Sequence, residues 1–186
     1  GYYSVLLDNS KIKAELTATL RAGFHKYTFP KNENSKIVID LDCRGGWDKM
    51  IESGVKIEDE TTVSGFTFSN GWATNQKVYF VAKFSKPFNK FYTSAKGELN
   101  EGNKEIKGHS AKAVLSFSTD ENEAVMVKVG ISSSGVEGAR KNLDAEIKDF
   151  DFDAVAKSAS AEWNKELSKF TVETADQNQK KIFYTA

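Results

Sequence analysis

Between Lys11 and Leu20 apolar and polar residues alternate without a break. Ile12, Ala14, Leu16, Ala18 and Leu20 fall on one face of an extended chain, and Lys11, Lys13, Glu15, Thr17 and Thr19 on the other. A period of two predicts a half-buried strand with one face toward water. Asp8-Asn9-Ser10 supplies turn chemistry before it, so Tyr3–Leu7 and Ile12–Leu20 are expected to form a hairpin. Ala22-Gly23 interrupts the pattern, Phe24–Phe29 restarts it, and Pro30 closes it ahead of a polar loop at Lys31–Ser35. The continuous apolar run Ile37–Leu41 reads as a central strand, and Asp42–Asp48, with Gly45-Gly46, as a loop. Val55–Glu60, Thr62–Ser69, Val78–Ser85 and Phe88–Tyr92 are further strands, with a turn at Ser69-Asn70-Gly71. Residues 94–110 are polar and contain three glycines, and are expected to form a long mobile hairpin tip. Ala113–Phe117 and Val125–Ile131 complete the extended segments. Short strands at this regular spacing predict a mainly β chain, an antiparallel two-sheet β-sandwich followed by C-terminal helices.

The period then changes. Val136, Ala139, Leu143 and Ile147 fall at helical spacing after Ser132-Ser133-Ser134, which is expected to cap the helix. Asp151 or Asp153 caps a second helix whose apolar face is Val155, Ala156, Ala159, Trp163 and Leu167. Val172 is expected in a short extended piece. A third helix over Asp176–Ala186 turns Ile182 and Phe183 inward. It reaches the last residue without a Gly, Asn or Pro stop signal, and the first strand begins at Tyr2. Both features suggest a piece of a longer polypeptide. The expected organisation is a sandwich over 1–132, incomplete on its N-terminal side, a helical linker over 133–170, and the start of a following helical domain over 171–186.

Composition narrows the functional classes. The chain has 186 residues, enough for one domain that buries roughly 70% of its unfolded surface. Lys and Arg number 26, as do Asp and Glu, so the net charge is zero. No basic stripe points to nucleic acid, and no run is long and apolar enough to span a membrane. The single cysteine, Cys43, excludes an intrachain disulfide, so cysteine usage gives no compartment.

Candidate chemistry is sparse. Glycoside hydrolysis requires two carboxylates flanking the scissile bond, and no spacing singles out such a pair. Asp40 and Asp42 flank a strand end. Asp149, Asp151 and Asp153 sit at a helix start, where acids cap and oppose the helix dipole. Their spacing lacks the glycine of a calcium-binding helix–loop–helix. Trp47 and Trp72 each follow glycine in an expected loop. Either could stack on a sugar face, pack on a neighbouring domain, or close the end of the sandwich. Trp163 lies on the apolar helix face and is read as core or interface. His109 sits in the polar tip.

One stretch carries more than a strand pattern. Gly1-Tyr2-Tyr3-Ser4-Val5, Ile12-Lys13-Ala14-Glu15-Leu16-Thr17-Ala18-Thr19, Arg21-Ala22-Gly23-Phe24-His25 and Phe29-Pro30 follow each other in order. Later come Gly71-Trp72, Gln76–Phe80, Phe84-Ser85-Lys86-Pro87-Phe88, Val127–Ser132, Glu137–Leu143, Trp163–Leu167 and Lys181–Ala186. Together these segments resemble the amino-terminal β-sandwich domain of glycoside hydrolase family 92, the calcium-dependent exo-α-mannosidases, and the start of its catalytic domain. The resemblance implies a parent enzyme that removes terminal α-linked mannose with inversion, using calcium, and acts on mannose-containing glycans. It implies a periplasmic, cell-surface or secreted location. It places the catalytic carboxylates and calcium ligands in a downstream helical barrel, so it assigns no catalytic residue and no metal ligand to this chain. Arg21 and His25 match the family segment and are read as an ion-paired arginine and a hydrogen-bonded histidine. A stand-alone carbohydrate-binding or structural sandwich is the alternative.

Overall fold

The computed structural model describes residues 1–42, 48–95 and 97–186. Among the described residues, twelve strands are followed by three helices. The strands are β1 (Tyr2–Leu6), β2 (Lys13–Ala18), β3 (Ala22–Phe29), β4 (Asn32–Asp40), β5 (Lys49–Ile57) and β6 (Thr62–Asn70). They continue as β7 (Gln76–Phe84), β8 (Lys90–Ser94), β9 (Asn100–Glu101), β10 (Glu105–Gly108), β11 (Lys112–Thr119) and β12 (Glu123–Ser132). The helices are α1 (Val136–Glu146), α2 (Phe152–Leu167) and α3 (Gln177–Thr185). Among the described residues, no helix is long and apolar enough to cross a membrane.

All pairings are antiparallel. A large sheet runs β1-β2-β3-β12-β7-β6-β5-β10, and a small one β4-β11-β8-β9. The sandwich and its helical sequel are as the alternation predicts, and so is the β1–β2 hairpin, which pairs Val5 with Ala14. Period two decides which side chains meet. Phe29, Phe80, Phe84, Val125 and Val127 of the large sheet face Phe88, Ala113, Leu115 and Phe117, and all are buried. The alternate residues of the large sheet point away from that core. Ala22, Phe24 and Val81 form a second core with Ala139, Leu143 and Ile147 of the α1 segment and Phe152 of α2. The molecule is therefore three layers: small sheet, large sheet, helices.

Several local expectations give way to tertiary context. The polar face of β2 is not toward water: Glu15 and Thr17 are buried. Helix α2 covers that side, Thr17 donates to the Gly1 carbonyl at 2.6 Å, and Tyr2 donates to Glu15 at 2.7 Å. Strand β4 begins within the expected polar loop. It lies at the edge of the small sheet and not at its centre. Its exposure alternates, and Val38 is 54% exposed. The stretch 94–110 holds β9 and β10, and β10 extends the large sheet by pairing with β5. The three serines do not cap α1. Ser132 and Ser134 bond each other at 2.9 Å, and the cap position is Gly135, whose φ of 144° favours glycine. Asp151 caps α2 by accepting from the Ala154 N–H at 3.0 Å.

The segment around Val172 forms no strand. Only the first half of α2 packs, while Trp163 and Leu167 are exposed. Ile182 and Phe183 of α3 are exposed rather than inward, because no described element lies over that helix face.

Candidate functional site

Trp72 sits in the loop after β6, at one end of the large sheet. The β6–β7 ladder reaches Ser69 paired with Gln76, which leaves residues 71–75 to turn the chain. Asn70 accepts from the Asn75 N–H at 2.7 Å, and Asn75 takes a left-handed φ of 56° to close the turn. Gly71 leaves room there for the Asp48 side chain, which a Cβ would displace. Beneath the turn, the Phe66 and Phe68 rings lie 4.5 Å apart and Tyr79 meets Phe68 edge-on at 5.6 Å. The Lys77 ammonium rests over Phe68. This stack stiffens the hairpin that carries Trp72. The indole is 90% exposed and borders an open hollow with Lys49, Asn70 and Gly71. A flat apolar ring beside an ammonium and an amide can stack on a sugar and bond its hydroxyls.

Trp47, the other candidate tryptophan, lies outside the described residues, as does Cys43. Asp40 pairs with Lys112 at 2.9 Å and accepts from the Asp42 N–H, which is the chemistry of a strand end. Asp149, Asp151 and Asp153 border a hollow with Lys26, Phe150 and Phe152, and Asp151 is engaged as a helix cap. Among the described residues no group of three or more His, Cys, Asp or Glu side chains is placed to hold a metal. His109 is exposed.

The shifted carboxylates are held ionised. For Glu146, burial acts upward, but the Thr19 hydroxyl at 2.5 Å and the Arg21 N–H and guanidinium outweigh it and lower its pKa. Burial also opposes the lowering of Glu15, which Tyr2, Lys13 and Lys26 impose. It opposes that of Asp59, set by Thr61 and Thr62. Glu123 is lowered chiefly by its hydrogen bond from Lys86. A glycosidic acid needs the opposite shift.

Arg21 is thus the ion-paired residue expected. His25 is the hydrogen-bonded one: its Nδ1 lies 2.8 Å from the Tyr27 hydroxyl, and burial lowers its pKa. The sequence does not join His25 and Tyr27 to a cavity, although their i, i+2 spacing on one strand face is the available signal. They line a void of about 270 Å³ between the sheets with Ile37, Ile39, Leu41 and Val129.

The comparisons with known proteins agree with this architecture. The family model described as Glycosyl hydrolase family 92 N-terminal domain matches residues 1–132, and that of the family 92 catalytic domain matches 138–186. A family GH92 α-mannosidase of Bacteroides thetaiotaomicron superposes with a TM-score of 0.91 at 32% identity, over 99% of this chain and 26% of that one. An inverting family GH92 mannosidase of the same organism gives 0.86 at 26% identity, over 98% and 24%. The chain therefore spans about a quarter of the length of these solved relatives. A search of curated proteins found no match. With its sandwich segment and its helical segment both matched in order, the chain belongs to glycosyl hydrolase family 92.

Proposed function

We propose that this chain is the non-catalytic β-sandwich segment of an α-mannosidase, which scaffolds the rest of the enzyme and shapes the edge of its sugar pocket. The observation that carries this reading is the join between the two matched regions. The α1 segment, from the catalytic-domain match, buries Ala139, Leu143 and Ile147 against Phe24 and Val81 of the sandwich match. A shared apolar core fixes the orientation of whatever follows α1. By analogy with the inverting relative, the parent hydrolyses terminal α-linked mannose with a general acid on one side of the bond and a base-activated water on the other. The calcium that the family resemblance implies belongs to parts of the parent outside these residues. Trp72 is the residue we assign to glycan contact, as part of the pocket edge.

The test is hydrolysis of an aryl α-mannoside. The longer gene product releases mannose, with the β anomer appearing first by NMR, whereas residues 1–186 alone release none. Trp72→Ala in the longer product raises KM or lowers kcat without loss of folding. Mannose release by residues 1–186, abolished by replacing one of their carboxylates, overturns the scaffold assignment. Trp72 also supports the alternative, a self-sufficient carbohydrate-binding sandwich. Saturation of Trp72 fluorescence by mannose in the isolated chain would favour it.

A further inference from the structure

The two sheets are unequal, eight strands against four, and the mismatch is at one side. The order of the small sheet ends at β4, whose inner residues Ile37 and Ile39, with Leu41 just past its end, face β3, β12 and β7 across the void. Beyond β4 the inner face of β1, β2 and β3 has no described strand over it. That face is apolar. Pairing of Tyr3 with Leu16, Val5 with Ala14, Leu16 with His25 and Ala14 with Tyr27 places these side chains on the sandwich side. Tyr3 is 58% exposed there, and Leu16, His25 and Tyr27 are only half-buried. Among the described residues no strand pairs with the outer edge of β4 either. The Leu41 N–H donates to Ala111 of the small sheet. Alternation therefore turns the N–H and C=O groups of Lys36, Val38 and Asp40 away from β11, toward the uncovered side.

We propose that β4 receives an extended strand from the same polypeptide, lying outside residues 1–186, which pairs with Lys36, Val38 and Asp40 and covers the floor of β3 and β2. The occupant alternates apolar residues, which meet Val5, Leu16 and the void, with polar ones on the outer face. A β-strand suits the site because an open edge beside an apolar floor offers both the backbone partners and the side-chain pockets of strand addition. A strand spacing of about 4.8 Å sets it directly over the strip that the small sheet leaves bare. The solved relatives are about four times as long, so ample chain exists to supply it. This inference rests on the reading of the chain as part of a longer family 92 polypeptide.

Amide hydrogen exchange tests it without reference to activity. In residues 1–186 the Lys36, Val38 and Asp40 amides exchange freely while those of Ile37, Ile39 and Leu41 are protected. In the longer gene product the first set slows by about a hundredfold or more. Val38→Pro, which removes one edge donor, leaves the melting temperature of residues 1–186 nearly unchanged and lowers that of the longer product. Equal exchange of Lys36, Val38 and Asp40 in both proteins overturns the proposal. So does protection that arises in the short chain as its concentration is raised, since the occupant is then a second copy. An active longer product with an open β4 refutes this inference alone. An inactive one with a protected β4 refutes only the mannosidase reading.

Discussion

The Lys128 ammonium donates to the Ile147 carbonyl at 3.1 Å and so holds the end of α1 against the large sheet. Lys128 projects from β12 toward the helical layer, also reaches the Lys148 carbonyl at 2.9 Å, and lies 4.5 Å from the Phe150 ring centre. A cation at a helix C-terminus satisfies carbonyls that have no partner within the helix and opposes the dipole there. The residue is 5% exposed, and burial, followed by the Lys83 charge, lowers its pKa. Lys128→Met keeps the stem and removes the donor, leaving two carbonyls short of a partner. We expect a loss of about 1.5–3 kcal/mol in urea unfolding. A change below about 0.5 kcal/mol would show that these bonds are not needed.

Gly130 sets how closely α1 approaches β12. A Cβ there would lie 2.7 Å from Leu143 Cβ and would also strike the Ala139 carbonyl, which is helix backbone and cannot swing aside. Gly130→Ala should push α1 outward and cost about 1–3 kcal/mol, as overpacking does. Equilibrium melts report the size, and loss of protection at the Leu143 amide by hydrogen exchange reports the place.

Acid should destabilise the chain in two stages. Burial depresses the folded pKa of His25 below its ordinary value of 6.5, so the unfolded chain takes up this proton first. Stability from His25 is complete above pH 6.5 and is lost as pH falls toward the folded pKa, with a slope of up to about 1.4 kcal/mol per pH unit. Glu15, Glu123 and Glu146 are depressed below 4.5, and their contribution disappears as pH drops further. Urea midpoints from pH 7 to pH 3.5 check the curve. His25→Gln should flatten the upper part and leave the lower, and Glu146→Gln the reverse.

Phe183 is 49% exposed and stacks edge-on with Tyr184 at the end of α3, near exposed Ile182. Trp163, Leu167 and Phe170 are exposed as well. Adjacent apolar side chains on a helix mark a surface that docks on something else. Phe183→Asp should alter the stability of residues 1–186 by less than about 0.5 kcal/mol. In the longer gene product it should lower the melting temperature and the mannosidase rate. Equal, small effects in both proteins would show that the surface is not a docking face.

The amino-acid sequence by itself determined the sandwich class, most of its strands, the change to helix after residue 132, and the chain's family. Period two in Lys11–Leu20 and period 3.6 in Val136–Ile147 are local signals, because the pleat and the helical turn are properties of neighbouring residues. Trp72 was legible as a loop aromatic, since Asn70-Gly71 announces the turn that presents it. Neighbourhood was decided only in three dimensions. Ile37–Leu41 looks like a buried central strand, yet it is an edge, because its pairing depends on β11, more than seventy residues later. Glu105–Gly108 carries a single apolar residue, Ile106, too weak a signal to predict a strand, and pairs because β5 offers it a partner. Glu15 and Thr17 look solvent-facing and are buried because α2 returns over them. Nothing in the sequence marks Lys128, and only the approach of the α1 terminus makes it a cap. In each case the deciding contact joins residues far apart in the chain, and its free energy depends on which surfaces meet, a relation that no local pattern encodes.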